Sequence, residues 1–224
     1  TWQVSLWRGA WKHADGTRTL MFKLPIDVDA IKGFLDPLEG DALQRAFTMG
    51  AGLGPGLEIG AYCGKSAVWL GAAAQALGTV LFSLDHHRGS EENQPGWEYH
   101  DADLWDAEAG ALDTLPHLRR TLRAAGLEEI VIPIVARSST LAQYWRTPLG
   151  FLFIDGGHTM EAALADLRGW TPHLVQGGVL AIHDVFPNPA DGGRPPFEIY
   201  QRALASDLFE EIEAVKSLRI LRRL

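Results

Sequence analysis

Short apolar runs alternate with longer amphipathic segments from about residue 56 to the end of the chain. The short runs predict five strands, at 56–60, 79–85, 130–135, 151–155 and 178–184. Apolar residues at helical spacing predict the helices between and after them, at 66–77, 113–125, 160–170 and 197–205. Regular alternation of strand and helix is typical of an α/β protein with a mostly parallel sheet.

Two details refine this sheet. The β-like segments at 208–215 and 217–223 follow each other too closely for a crossover helix, so they should pair as an antiparallel hairpin. Pro133 lies inside the third strand and has no amide hydrogen to donate, which places that strand at an edge. The pattern therefore predicts a seven-stranded, mostly parallel sheet that ends in a C-terminal antiparallel hairpin.

Size and charge limit the classes of function. With 224 residues and 46% hydrophobic residues, the chain fits one structural domain, in which 1–55 form an N-terminal arm with helices and 56–224 the ligand-binding part. The arm could be a lid or a contact to substrate or to a second subunit. The formal charge of −8 without a basic stripe argues against a nucleic-acid partner. No apolar run approaches a membrane span and no signal peptide is recognisable, so we expect a cytoplasmic protein without membrane contact.

The most informative segment is LEIGAYCGKS at 57–66, where an apolar strand, an acidic residue and a glycine turn come directly before a helix. Free amides at such a helix start bind anionic groups. A P-loop would need a glycine at 59, where the chain has Ile59, and a dinucleotide fingerprint would need one at 62, where it has Tyr62. The remaining pattern is ExGxxxGxS.

This pattern resembles the first motif of class I S-adenosylmethionine-dependent methyltransferases, and the order of strands resembles their Rossmann-like fold. The resemblance implies that the turn holds the methionine end of the cofactor. Asp85 ends the second strand, where an acidic side chain can accept hydrogen bonds from ribose hydroxyls, and His86 follows on the adenine or substrate side. The predicted cofactor-binding residues are Glu58, Gly60, Ala61, Tyr62, Gly64, Ser66, Asp85, His86, Ser138 and Asp155.

A second cluster follows strands four and five, which end in IDGGH and GGVLAIHD. The layout resembles metal-dependent O-methyltransferases of the catechol and caffeoyl-CoA type, and bacterial methyltransferases that act on sugars and macrolides. By that resemblance Asp155, His183 and Asp184 would hold a divalent cation, and His158 would be the general base beside Asp155. A histidine at 183 in place of an oxygen ligand favours Mn, Zn or Fe over Mg. The alternative is a hydrogen-bonded pair of His183 and Asp184 without metal, with His158 or His183 as base.

The sequence thus predicts an S-adenosylmethionine-dependent methyltransferase that methylates a hydroxyl of a small molecule, with or without a divalent cation. Two alternatives stay open. One is a regulatory module that binds the cofactor without catalysis, and the other is a nucleotide-binding protein that uses the GKS sequence at 64–66. A homodimer is also compatible with the aromatic N-terminal arm.

Overall fold

The computed structural model describes residues 22–90, 93–97 and 99–224, so the tryptophan-rich start of the N-terminal arm lies outside the described residues. The helices are α1 (Pro37–Gly50), α2 (Lys65–Leu77), α3 (Leu115–Ala125), α4 (Ser138–Ala142), α5 (Met160–Trp170) and α6 (Arg194–Ala205). The strands are β1 (Gly56–Ile59), β2 (Leu81–Asp85), β3 (Trp105–Asp106), β4 (Ala111–Leu112), β5 (Val131–Val135), β6 (Leu149–Ile154), β7 (Leu174–Ile182), β8 (Phe209–Val215) and β9 (Leu218–Arg223). Among the helices of the described residues, none combines the length and apolar composition that crossing a bilayer requires.

Seven of these strands form one sheet in the order β5-β2-β1-β6-β7-β9-β8. The first five in this order are parallel, while β9 runs antiparallel to both β7 and β8. The edge position of β5 is as Pro133 predicts, and the closing hairpin is confirmed. β3 and β4 form a separate small antiparallel pair in the segment between β2 and α3.

Helices cover both faces of the sheet, because the buried parallel strands are apolar on both sides. On one face α1, α2 and α3 enclose a core around Phe47, Trp69 and Phe151. On the other face α4, α5 and α6 enclose a second core that includes Trp170 and Ile199. This layering leaves the carboxyl ends of the parallel strands as the open edge of the domain.

Helix α1 belongs to the same core as the sheet. Asp36 caps its first turn and forms a reciprocal capping box with Glu39. Gly40 lies so close to Trp69 of α2 that a Cβ there would come within 2.3 Å of the indole ring. Residues 37–50 are therefore packed against α2 and the sheet, within the segment that the sequence predicts as an N-terminal arm with helices.

Candidate functional site

The carboxyl ends of the parallel strands open into a cleft of about 980 Å³. In an open α/β sheet this edge carries the ligand site. Most of the predicted site residues line this cleft: Gly60, Ala61, Tyr62, Ser66, Asp85, His86, Ser138, Asp155, His158, His183 and Asp184. The fold thus brings together, in one cavity, residues that are separated by up to 124 positions in the sequence.

The turn between β1 and α2 depends on glycine. Gly60 has φ +94°, and a Cβ at this position would come within 2.0 Å of the carbonyl oxygen of Asp155. The turn after β1 and the turn after β6 are therefore in direct backbone contact. Gly64, at φ +93°, starts α2. The side chain of Lys65 donates to the carbonyl of Gly33 at 3.1 Å.

Glu58 supports this turn from beneath the cleft. Its side chain is fully buried, and its two carboxylate oxygens accept hydrogen bonds from the hydroxyls of Ser66 at 2.8 Å and Ser83 at 2.6 Å. Burial raises the pKa of Glu58 to about 7, although the two hydroxyls oppose the shift. Glu58 and Gly64 are the two predicted cofactor residues that do not line the cleft. Both residues shape the turn, and their predicted contact with the cofactor stays a prediction.

Asp85 joins the turns that follow two neighbouring strands. One carboxylate oxygen accepts from the amide of Tyr62 at 2.9 Å, and the other accepts from the amide of His87 at 2.7 Å. Tyr62 and His87 both have positive φ, so these bonds hold residues in a backbone region that is rarely populated. A carboxylate has about four acceptor positions, and Asp85 therefore keeps capacity for hydroxyl groups of a ligand in the cleft.

His183 is buried between two carboxylates at the end of β7. Its Nδ1 lies 3.0 Å from Asp155 Oδ1, and its Nε2 lies 3.0 Å from Glu39 Oε2. Burial alone would lower its pKa, but the charge of Asp155 and the hydrogen bonds to its acidic neighbours raise the pKa of His183 well above its usual range. Both ring nitrogens are thus engaged with carboxylates, and neither points to an unoccupied position in the cleft.

Glu39 is the functional-site neighbour that the sequence analysis missed. Its Oε1 accepts from the amide and the hydroxyl of Ser217, at 2.9 and 2.8 Å, in the turn between β8 and β9. Burial opposes ionisation of Glu39, but the hydrogen bond and charge of His183 lower its pKa. In the sequence, Asp36 and Glu39 form the pattern of a capping box. This pattern indicates where a helix begins, but it does not reveal that Glu39 contacts a residue after β7.

His158 and Asp184 form a second pair on the side of the cleft. His158 Nε2 lies 3.2 Å from Asp184 Oδ2. Burial would raise the pKa of Asp184, but hydrogen bonds from His158 and His183 lower it, whereas burial raises the pKa of Asp155. One ligand atom each of Asp155, His158 and Asp184 lies within 4.8 Å of the others.

Among the described residues, the group of side chains that could hold a cation differs in one member from the predicted set. It contains Asp155 and Asp184 as predicted, but the third member is His158. His183 lies beside this set: its Nδ1 is 3.0 Å from Asp155 Oδ1 and 3.5 Å from Asp184 Oδ1, and its Nε2 faces Glu39. Two carboxylates and one imidazole are chemically suited to a borderline divalent ion.

Comparison with known proteins identifies the class. A family model described as "Methyltransferase domain" matches residues 57–185. The match covers more than half of the chain, and the protein belongs to this methyltransferase family. The matched span contains both the glycine turn and the cluster at the ends of β6 and β7. The predicted class, a Rossmann-like class I methyltransferase with S-adenosylmethionine as cofactor, is thereby confirmed.

Solved structures share the fold at low sequence identity. The O-methyltransferase NovP is 17% identical, with 83% of this chain and 79% of that chain covered at a TM-score of 0.64. The O-methyltransferase from Bacillus cereus in complex with SAH is 17% identical, with 85% and 83% covered at 0.57. The SAH-bound methyltransferase PaMTH1 from Podospora anserina is 13% identical, with 85% and 80% covered at 0.59.

Proposed function

We propose that the protein transfers a methyl group from S-adenosylmethionine to a hydroxyl of a small molecule, with His158 as general base. The observation that carries this proposal is the position of His158. It lines the same cleft as the glycine turn and lies 3.2 Å from the carboxylate of Asp184. Two of the structural neighbours are named O-methyltransferases, which supports oxygen as the methyl acceptor.

The cleft offers a place for each part of the cofactor. The turn at 60–64 would hold the methionine end, and Asp85 would accept hydrogen bonds from the ribose hydroxyls. His86 and Ser138 would lie beside the adenine, at the ends of the neighbouring elements. When bound, the cofactor supplies an electrophilic methyl group on its sulfonium.

His158 would remove the proton of the acceptor hydroxyl through a ring nitrogen. An imidazole ring can accept a proton at one nitrogen while its other nitrogen donates to a neighbouring carboxylate. Asp184 orients the ring through the bond to Nε2 and would stabilise the imidazolium that forms. The remaining contribution of the chain is alignment of the acceptor oxygen.

Cation assistance is a second form of the same proposal. Asp155, His158 and Asp184 would be the ligands, and the cation would lower the pKa of the acceptor hydroxyl. A His158 nitrogen that binds a cation cannot accept a proton at the same time, so the two forms exclude each other at that atom. The predicted ligand His183 could take part only if its bond to Glu39 or to Asp155 broke.

The test combines binding with turnover. Isothermal titration with S-adenosylhomocysteine, with and without manganese and with ATP as control ligand, measures the cofactor site. Turnover is then measured on catechols, sugars and other diols. His158→Gln should lower kcat by about 10²–10⁴-fold while the dissociation constant of S-adenosylhomocysteine stays unchanged. The control is His117→Gln, which replaces a histidine outside the cleft lining.

The outcomes separate the alternatives. Equal turnover of wild type and His158→Gln would remove His158 as base. Cofactor binding without turnover of any acceptor would favour the regulatory module. ATP binding in place of S-adenosylhomocysteine would favour the nucleotide-binding alternative. Turnover that chelation abolishes and manganese restores would favour the cation-assisted form.

A further inference from the structure

A row of contacting polar side chains leads from the turn between β8 and β9 towards the proposed base. It begins at Ser217, whose amide and hydroxyl donate to Oε1 of Glu39 at 2.9 and 2.8 Å. Oε2 of Glu39 lies 3.0 Å from Nε2 of His183. Of the described residues, those that line the cleft include His183 but not Glu39. Glu39 therefore lies behind the site and reaches the cleft through His183.

The other ring nitrogen of His183 continues the row. Its Nδ1 lies 3.0 Å from Oδ1 of Asp155 and 3.5 Å from Oδ1 of Asp184. The second oxygen of Asp184, Oδ2, lies 3.2 Å from Nε2 of His158. Glu39 and the proposed base are thus joined by three successive side-chain contacts of 3.0, 3.5 and 3.2 Å.

Glu39 is itself held in place at both carboxylate oxygens. Oε1 takes the two hydrogen bonds from Ser217, and Oε2 accepts from the amide of Asp36 at 3.3 Å in the capping box. The side chains of Glu39 and His183 are each only 4% exposed. A buried carboxylate that is fixed in this way also fixes the orientation of the ring that contacts it.

The backbone at Asp184 depends on the same turn. Asp184 has φ +55°, in the left-handed region that residues other than glycine rarely adopt. Such a conformation persists where surrounding contacts fix it. The amide of Val185 donates to the carbonyl of Ser217 at 2.9 Å, so the turn that holds Glu39 also holds the backbone after Asp184. The direction of the Asp184 carboxylate, and with it the ring of His158, depends on these contacts.

We propose that Glu39 is a positioning residue for the base His158. It fixes the ring of His183, and His183 fixes the carboxylate that orients His158. A base that is less well oriented reaches the acceptor hydroxyl less often in the geometry of proton transfer, so the rate should fall while ligand binding is kept. This inference rests on the proposed role of His158 as general base.

The experiment measures single-turnover methylation with enzyme in excess, on the acceptor that the wild type methylates fastest. Glu39→Gln keeps the length of the side chain but has one acceptor oxygen, and it should lower the rate about 10- to 100-fold. The KM of the acceptor and the dissociation constant of S-adenosylhomocysteine should stay within about twofold of the wild type. The matched control is Arg45→Met, which breaks an ion pair between α1 and Glu213 of β8 outside the row and should keep the wild-type rate.

A double-mutant cycle with His158→Gln separates positioning from packing. If Glu39 acts through the base, Glu39→Gln should change the rate by less than about threefold in a chain that already carries His158→Gln. Ser217→Ala is a second variant in case Glu39→Gln does not fold. It removes one hydrogen bond to Glu39 and should lower the rate about three- to tenfold. Unfolding temperatures are recorded for each protein.

The outcomes are distinct. An equal loss of rate from Glu39→Gln with and without His158→Gln would overturn the proposal, because that pattern describes a packing role. The wild-type rate in a folded Glu39→Gln or Ser217→Ala variant would overturn it as well. The wild-type rate in His158→Gln alone would instead remove the base on which the proposal rests. If the wild type methylates no acceptor, the proposed function itself is wrong.

Discussion

At the scale of single residues, Asp85 links two turns of the site through one carboxylate. Asp85→Ala should weaken binding of S-adenosylhomocysteine by about 1–3 kcal/mol, because ribose bonds are lost and the amides of Tyr62 and His87 lose their acceptor. Isothermal titration measures the change. Asp85→Asn keeps one acceptor oxygen and should lose less. An unchanged dissociation constant in both variants would place the ribose elsewhere.

Glu58 should make the stability of the protein depend on pH. Its pKa rises from 4.5 to about 7 on folding because the side chain is buried, so the folded state binds more protons between these values. The free energy of unfolding therefore decreases as pH rises from about 4.5 to about 7, by on the order of 1–3 kcal/mol from this group.

Glu58→Gln removes this titration. Urea unfolding at several pH values should show that the wild type loses stability relative to the variant across this window and not above it. Parallel pH profiles of the two proteins would contradict the assignment of a protonated Glu58 to the folded state. The comparison also tests whether the turn tolerates a neutral side chain at this position.

At the scale of elements, the hydrogen bonds of Glu39 link α1 to the end of β7 and to the turn between β8 and β9. Glu39→Ala would leave His183 without one partner and remove the acceptor of Ser217, and breaking a buried pair costs about 3–5 kcal/mol. The free energy of unfolding in urea measures the cost. Ser217→Ala removes only one hydroxyl and should cost about 1 kcal/mol. Similar losses in both variants would show that the Glu39–His183 contact is weak.

At the scale of the whole molecule, the cleft lies at the carboxyl ends of most of the parallel strands. A ligand that binds there contacts several elements at once and should therefore stabilise the folded state as a whole. S-adenosylhomocysteine at about 100 times its dissociation constant adds about 2.7 kcal/mol. For a domain of this size that corresponds to a rise in Tm of about 5–10 °C. Thermal unfolding measures the rise, and Asp85→Ala at the same ligand concentration should show a smaller one. A Tm that does not respond to the ligand would contradict a cofactor site in this cleft.

Other expectations at this scale stay predictions. They are the homodimer, the cytoplasmic location, the absence of a nucleic-acid partner and the role of the first residues of the arm. Sedimentation of the purified protein and a salt-dependent nucleic-acid binding assay would test two of them. The excess of acidic groups predicts weak retention on nucleic acid even at low salt.

Features that depend on local patterns could be predicted from the amino-acid sequence. Apolar periodicity predicted the order of strands and helices, Pro133 placed β5 at the edge, and the spacing in 57–66 predicted the glycine turn. These features follow from backbone sterics and burial within a few residues. They also put the predicted chemistry at the carboxyl ends of the strands, because parallel strands share that edge.

Which side chains contact each other could be read only from the folded chain. Glu39 and His183 are 144 positions apart, and Ser138 and Asp166 are 28 apart in different helices. Periodicity tells which side of a helix is buried, but it does not tell which neighbour the buried side will contact. A polar residue on that side can be a cap, a packing contact or part of a site. The proposed roles of His158 and His183 rest on such contacts, because hydrogen-bond partners are set by distance in space.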